Sequence, residues 1–428
     1  MTAVVGILSK VGVAIAADSA VTISSGNQER KIYNSANKIF TLSKYHPVSV
    51  MIYNSATFNG IPWEILIKEY RKQLKKKSFK KLLGYQVDFI KYIKSRINLV
   101  SKESQEEQIE YFIDFVLSNI LESVVKKNKE TIENEVDINK RKEIVKKLIK
   151  EEVKDYLNNL KDIKLIPDFS DYEFGTFKKR YRSIFNKVFD EYYSEISLGQ
   201  TTKNNLFELV FQLVCSDNFL GNWTGLVFTG YGDDEIYPSC FSLKVGGVID
   251  NRIRYIFDEQ TIISENMSAG IRPFAQRDVI DLILSGMDSD IGNLIFETFD
   301  NFLKQFTNRI GATLENTNPE IANEIRKINT YDIATNFADE IREKQRSAHI
   351  APLMATIATL SKEDLAELAE SLIYLTYLKR RMSFSEESVG GPVDVAIITK
   401  GDGFIWIKRK HYFDSNLNYT FIQNYLTK

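Results

Sequence analysis

Thr2-Ala3-Val4-Val5-Gly6-Ile7-Leu8-Ser9-Lys10-Val11-Gly12-Val13-Ala14-Ile15-Ala16-Ala17-Asp18-Ser19 is the stretch on which the fold turns. It holds two short apolar runs, residues 4–8 and 11–17, separated by Ser9-Lys10. Apolar runs of that length on either side of a turn predict two strands. Residues 13–17 are wholly apolar and stop at Asp18. A carboxylate at the end of such a strand needs a partner, because an unpaired charge is costly to bury.

Working outward, residues 38–42 and 48–53 are further strand candidates, with His46-Pro47 between them. At Pro62-Trp63-Glu64 the period changes. Pro stands in the first turn and apolar residues recur at Ile65, Ile67, Tyr70 and Leu74, which predicts a helix. From about residue 68 to 200 Gly and Pro almost vanish, and Lys and Glu dominate. Lys68, Arg71, Lys72, Lys75, Lys76, Lys77, Lys80 and Lys81 form a basic run, and residues 126–154 alternate Lys and Glu clusters with Ile, Val and Leu. This reads as several long amphipathic helices with solvated, ion-paired faces. A docking or nucleic-acid surface on the basic run is the other reading.

Residues 206–215 predict a buried helix, and 224–229, 240–245 and 252–257 predict strands punctuated by Gly225, Gly230, Gly232, Gly246 and Gly247. Residues 277–349 return to helix. Residues 362–381 form a clean helix, with Ser361 as N-cap and Asp364 placed for a capping box. The chain closes on 393–399, 404–407 and 412–413, apolar enough to be expected as strands buried on both faces. The β segments need each other, so one sheet-based core with two helical insertions is expected. The core takes 1–66, 201–276 and 350–428; the insertions are 67–200 and 277–349.

Composition removes several function classes. The chain has 428 residues, 43% hydrophobic and 26% charged, with a formal net charge of −1. Those fractions suit a globular protein, and the charge balance argues against a dedicated nucleic-acid binder. Two cysteines, Cys215 and Cys240, cannot build a disulfide framework, so a reducing compartment is expected. The apolar stretches fall short of the roughly 20 residues that span a bilayer. No cationic segment precedes an apolar one at the start, so no signal peptide is expected and the location expected is cytoplasmic. His46, His349 and His411 lack ligand spacing, and there is no G-x-x-x-x-G-K-S/T, so neither a metal, nor ATP, nor another cofactor is expected.

Thr2 follows Met1 directly. Removal of Met1 would leave Thr2 with a free α-amine. Such a residue unites nucleophile and base: Oγ1 attacks, and the neutral amine takes its proton directly or through water. That chemistry needs no histidine.

Three separated segments in order now carry a resemblance. They are Thr2 through Asp18-Ser19 followed by Asn37-Lys38-Ile39-Phe40; Thr229-Gly230-Tyr231-Gly232 with Pro238 and Phe241-Ser242; and Gly390-Gly391-Pro392-Val393-Asp394-Val395-Ala396-Ile397-Ile398-Thr399. Together they resemble the proteasome β-subunit family, and the lack of a propeptide beyond Met1 resembles its bacterial HslV peptidase branch. The resemblance covers about half the chain and skips the two helical blocks. It implies an α+β fold, the four-layer αββα sandwich of N-terminal-nucleophile (Ntn) hydrolases, in which two packed antiparallel sheets are flanked by helices. It also implies a threonine-type hydrolase that cleaves peptide bonds, a peptide or protein substrate, and a homo-oligomer, either a ring or smaller. A separate unfoldase chain would supply any ATP-driven step.

On this resemblance Thr2 is the nucleophile, Asp18 matches the family's strand-end carboxylate and Lys38 its lysine, provided extra residues sit in the loop 25–30. Lys38 beside Thr2 favours deprotonation of both hydroxyl and amine, and Asp18 pairs with Lys38. Lys31 is the competing lysine. Glu386 and Ser388 stand where the family has an Asp-x-x-Ser, with Ser388 one residue out of register. Asn54, followed by Ser55, stands where the family has the oxyanion-hole Gly. Ser268 precedes Gly270-Ile271-Arg272-Pro273-Phe274 two positions early for the family's serine. Ala20, Val21 and Thr22 are expected to line the substrate pocket. These departures leave a second reading open, a weak or inactive proteasome-like scaffold whose helical insertions bind partners.

Overall fold

The computed structural model describes residues 3–24, 30–160, 163–221, 223–382, 390–411, 413–414, 416–420 and 423, with the backbone alone for 22–24 and 30–32. The chain opens with β1 (Ala3–Ser9), β2 (Gly12–Ala17), β3 (Val21–Ser24) and β4 (Arg30–Tyr33). Next come β5 (Ile39–Thr41), β6 (Val48–Asn54) and the short pair β7 (Thr57–Phe58) and β8 (Ile61–Pro62). After a long helical stretch follow β9 (Thr224–Gly230), β10 (Ser239–Ile249), β11 (Arg252–Ile262) and β12 (Ala269–Ala275). A second helical stretch leads to β13 (Asp394–Thr399) and β14 (Gly403–Lys408). The protein is α+β. Two compact units divide it: 1–39, 236–239 and 262–428 in the first, 40–235 and 240–261 in the second.

The sheet of the first unit runs β12-β1-β2-β13-β14 and is antiparallel throughout. The opening hairpin pairs Val4 with Ala17 and Ser9 with Gly12, so Asp18 falls just past the paired end of β2. Every residue of β1, β2 and β13 is buried. One face presents Ala3, Val5, Ile7, Ala14 and Ala16, which pack with Leu365, Ala366, Ala369, Leu372 and Ile373 of the helix Lys362–Met382. Alanines on both surfaces let helix and sheet approach closely, and each fully buried Leu or Ile contributes roughly 1.5–3 kcal/mol. The helix starts as expected. The Ser361 hydroxyl accepts the Asp364 N–H at 3.2 Å, and the Asp364 carboxylate accepts the Ser361 N–H at 3.3 Å.

Two expectations for this unit need correction. β14 is not buried on both faces; it is an edge strand, with Ile405 43% and Ile407 48% exposed. Phe413 lies in a bend rather than a strand, and Tyr412 is outside the described residues. β12, on the opposite edge, was not expected. It contains Pro273, which an edge strand tolerates because the missing N–H can fall on the unpaired side.

The sheet of the second unit runs β11-β10-β9-β6-β5. β6 and β9 are antiparallel, from Val48 opposite Gly230 to Asn54 opposite Thr224. Gly230 has φ +132°, and a Cβ there would lie 2.0 Å from the Pro47 carbonyl oxygen, so no other residue fits. β10 and β11 meet at Asp250-Asn251, whose φ values of 50° and 57° suit a two-residue hairpin turn. The helices Trp63–Leu74 and Leu82–Ser95 share a core with this sheet through Trp63, Tyr70, Tyr85 and Phe89, and the Trp63 indole donates to Thr224 Oγ1 at 2.9 Å. Ile65 departs from the expected apolar stripe: it is 54% exposed, and Leu66 is buried in its stead.

The helices Lys102–Lys127, Ile138–Asn159, Phe174–Tyr193 and Gln200–Cys215 form a further hydrophobic cluster in the same unit. Arg254 on β11 is fully buried at the end of the last of these. Its guanidinium donates to the carbonyls of Val214 at 2.7 Å, Asn218 at 3.1 Å, and Leu213 and Ser216 at 3.2 Å. A cation there satisfies carbonyls the helix leaves open and matches the sign of its C-terminal dipole. In the basic run, Lys68, Lys72 and Lys77 pair with Glu64, Glu69 and Asp88.

Residues 278–357 of the first unit are helical, as Asp278–Ser285, Ser289–Leu314, Pro319–Arg326, Thr330–Gln345, a π-helical turn Arg346–Ile350, and Ala351–Ile357. Among the described residues no helix is long and apolar enough to cross a membrane.

Candidate functional site

The chemistry collects where β2 ends. Asp18 is 1% exposed and Lys38 3%. The Lys38 ammonium donates to Asp18 Oδ1 at 2.6 Å and to the Ala20 carbonyl at 2.6 Å. The Asp18 carboxylate also accepts the N–H groups of Ala3 at 2.8 Å, Ala20 at 3.1 Å and Gly390 at 3.2 Å. A carboxylate so surrounded has its oxygens satisfied by charge-assisted and backbone hydrogen bonds. It is held from three chain segments: β1, the exit from β2, and the approach to β13.

Local sequence explains the convergence. β2 has no polar residue to end it before Asp18, and the Asp18 N–H continues the pairing by donating to the Ala3 carbonyl at 3.1 Å. Ser19 then turns away, its N–H donating to the Gly390 carbonyl at 3.1 Å and its hydroxyl to that of Pro392. Gly391 allows this path. Its φ is +76°, and a Cβ would come within 2.8 Å of Asn34 Cβ.

Burial pushes the Lys38 ammonium below the ordinary lysine range; the neighbouring Asp18 carboxylate opposes that shift. Lys410 adds to the lowering and Asp394 works against it. Lys410 Nζ pairs with Asp394 Oδ2, and the Lys410 N–H donates to Asp394 Oδ1 at 2.8 Å. The site thus holds one buried ion pair and a second that is largely buried.

The expected residues fall out as follows. Asp18 and Lys38 are brought together. Ala20 is fully buried and frames their ion pair with its backbone; Val21 is half-buried at the start of β3. Thr22 has only its backbone described, as has Lys31, while Thr2, Glu386 and Ser388 lie outside the described residues. Ser268 is half-buried just before β12. Asn54 and Ser55 belong to the second unit. Asn54 has φ +68°, the left-handed region where glycine is most at home, and its side-chain amide donates to the Trp223 carbonyl at 2.8 Å. Ser55 donates its N–H to the same carbonyl at 3.2 Å.

Asp394, Lys410 and Gly390 were not foreseen. For Asp394 the signal was present: a lone carboxylate in an apolar strand, the same argument that singled out Asp18. Lys410 carries no sequence signal, and Gly390 acts through its N–H. Neither Cys215 nor Cys240 is an available nucleophile; both are buried, and burial pushes the Cys215 thiol up to about 12. Among the described residues no group of His, Cys, Asp and Glu could hold a metal ion.

Among solved structures the chain is similar to the Anbu (Gly-1) mutant from Hyphomicrobium sp. strain MC1, with 8% identity, a TM-score of 0.28, and coverage of 100% of this chain and 97% of that one. No family model matches the chain, and neither does any curated protein. The functional reading therefore rests on the chain's own residues.

Proposed function

We propose that the protein is an N-terminal threonine hydrolase of proteasome-like design, cleaving peptide bonds after loss of Met1. One observation carries the reading. The Asp18 carboxylate joins the Lys38 ammonium to the N–H of Ala3, the amide bonded to residue 2. A buried cation is thereby tied to the segment that begins with Thr2.

The steps follow from that arrangement. Thr2 Oγ1 attacks the substrate carbonyl carbon while its proton passes to the neutral α-amine. The tetrahedral intermediate expels the substrate amine, which takes that proton, and an ester on Oγ1 remains. Water then attacks the ester, losing its proton to the α-amine, and Oγ1 leaves with a proton as the acid product forms. Lys38 supplies positive charge that favours the neutral amine and a nucleophilic hydroxyl, and Asp18 fixes its rotamer. The proposal extends to the four-layer sandwich, to the domain bounds expected from sequence, and to a homo-oligomer served by a separate unfoldase. Thr2→Ala should abolish hydrolysis of fluorogenic peptides with unchanged circular dichroism; retained turnover contradicts the reading.

A second reading is a scaffold that keeps the fold without turnover. It is favoured by the helix Ser289–Leu314, which leaves Ile291, Leu294, Phe302 and Phe306 at least half exposed, as a partner surface would. Light scattering separates the readings when combined with the peptide assay: a defined assembly without turnover favours the scaffold.

A further inference from the structure

Asp394 opens β13 directly opposite Ala17 of β2, the residue before Asp18. Antiparallel partners are about 4.5–5.5 Å apart at Cα. The same chain segment therefore reaches both ion pairs: its Gly390 N–H donates to Asp18 Oδ2 at 3.2 Å, and four residues on its Asp394 accepts Lys410. The side chains of Asp394 and Lys410 are 4% and 12% exposed. The two carboxylates thus stand at neighbouring ends of adjacent strands, and with both ion pairs largely withdrawn from solvent their charges are weakly screened from each other.

We propose that Asp394 and Lys410 are positioning residues of the site, which set the proton affinity of Lys38 and, through it, the pH range over which the site works. The last part rests on the threonine-hydrolase reading; the influence on Lys38 does not. The charged groups facing Lys38 among the described residues are Asp18 at the end of β2, Asp394 on β13 and Lys410 beyond β14. Lys410 works with burial to loosen the Lys38 proton, and Asp394 opposes it. Removing one member of the second pair therefore leaves a signed charge next to the first.

The test is a titration of Lys38 by 13Cε NMR in lysine-labelled full-length protein, with the resonance assigned through Lys38→Met. Lys410→Met should tighten the Lys38 proton at least about threefold, since Asp394 is left unopposed. Asp394→Asn should loosen it by a similar factor, since Lys410 is left unopposed. Lys410→Arg, which keeps the charge, should leave it near the parent value. If a single variant fails to fold, K410M/D394N removes both charges without leaving an unpaired one, and it should tighten the proton slightly because Lys410 outweighs Asp394. An unmoved Lys38, or shifts of the same sign in both single variants, overturns the inference.

Peptide hydrolysis adds an independent readout. Lys38 must carry its charge to favour the neutral α-amine. The alkaline limb of the kcat/KM profile should therefore move to higher pH in Lys410→Met and to lower pH in Asp394→Asn. A purely structural role would lower activity without opposite shifts. Opposite NMR shifts in a protein without turnover would defeat the hydrolase reading while leaving the coupling of the two ion pairs intact.

Discussion

Lys38 Nζ lies 2.6 Å from Asp18 Oδ1, with both side chains almost entirely withdrawn from solvent. An ion pair at this depth adds little to stability over an apolar pair of the same shape, because both charges lose their hydration. Its presence beside the wholly buried strands β1, β2 and β13 fits a role in chemistry more than one in folding.

Breaking this pair on one side is expected to be costly. Asp18→Asn leaves a buried ammonium unpaired and weakens the anchor on Ala3 and Gly390. A loss of about 3–5 kcal/mol is expected in urea denaturation. A loss below about 1 kcal/mol would mean that the pair is looser than the structure has it.

The pH dependence of stability carries a sign. Lys38 titrates below its ordinary value of 10.5 in the folded protein, chiefly through burial. The unfolded chain thus holds this proton more tightly. Stability should rise with pH from the folded pKa up to about 10.5, where the cost of the buried ammonium has disappeared. The double variant D18N/K38M lacks this gain. Urea midpoints from pH 7 upward should show the parent gaining on the variant, and parallel curves would contradict the buried charge.

Asn54 holds the left-handed conformation with φ +68° and donates to the Trp223 carbonyl. Asn54→Gly keeps the favoured backbone and should be nearly neutral. Asn54→Ala loses the hydrogen bond and adds strain, for an expected cost of about 1–2 kcal/mol. Equal stability of the two variants in thermal denaturation would remove the backbone argument.

Arg254 donates to the carbonyls of Leu213, Val214, Ser216 and Asn218, all of them uncharged acceptors. Arg254→Met should cost at least about 3 kcal/mol, because several buried carbonyls lose a charged donor at once. Arg254→Lys should recover only part, since an ammonium cannot reproduce the planar fork. Full recovery by lysine would show that charge alone matters there.

Much of this was legible beforehand for specific reasons. The apolar run ending at Asp18 forced both a strand and a buried partner, and Lys38 was the residue found there. Ser361 and Asp364 marked a helix start through local capping alone. The misses have physical causes too. β12 hid behind Pro273, which reads as a breaker unless the strand is known to be an edge. β14 reads as a buried strand because Phe404, Ile405, Trp406 and Ile407 look like an interior run, whereas its edge position leaves half of it exposed. Lys410 was invisible because a single lysine after a strand normally points to water; only the β13–β14 pairing brings it to Asp394.

The central claim is that Thr2, with a free amine, is the nucleophile served by Asp18 and Lys38. Intact and peptide mass spectrometry of the purified protein, with and without a boronate or epoxyketone directed at terminal threonine, tests it most directly. The account predicts loss of Met1 and a single adduct on Thr2 that Lys38→Met diminishes. Retained Met1, or a Thr2 with a free amine that takes no adduct, would contradict it.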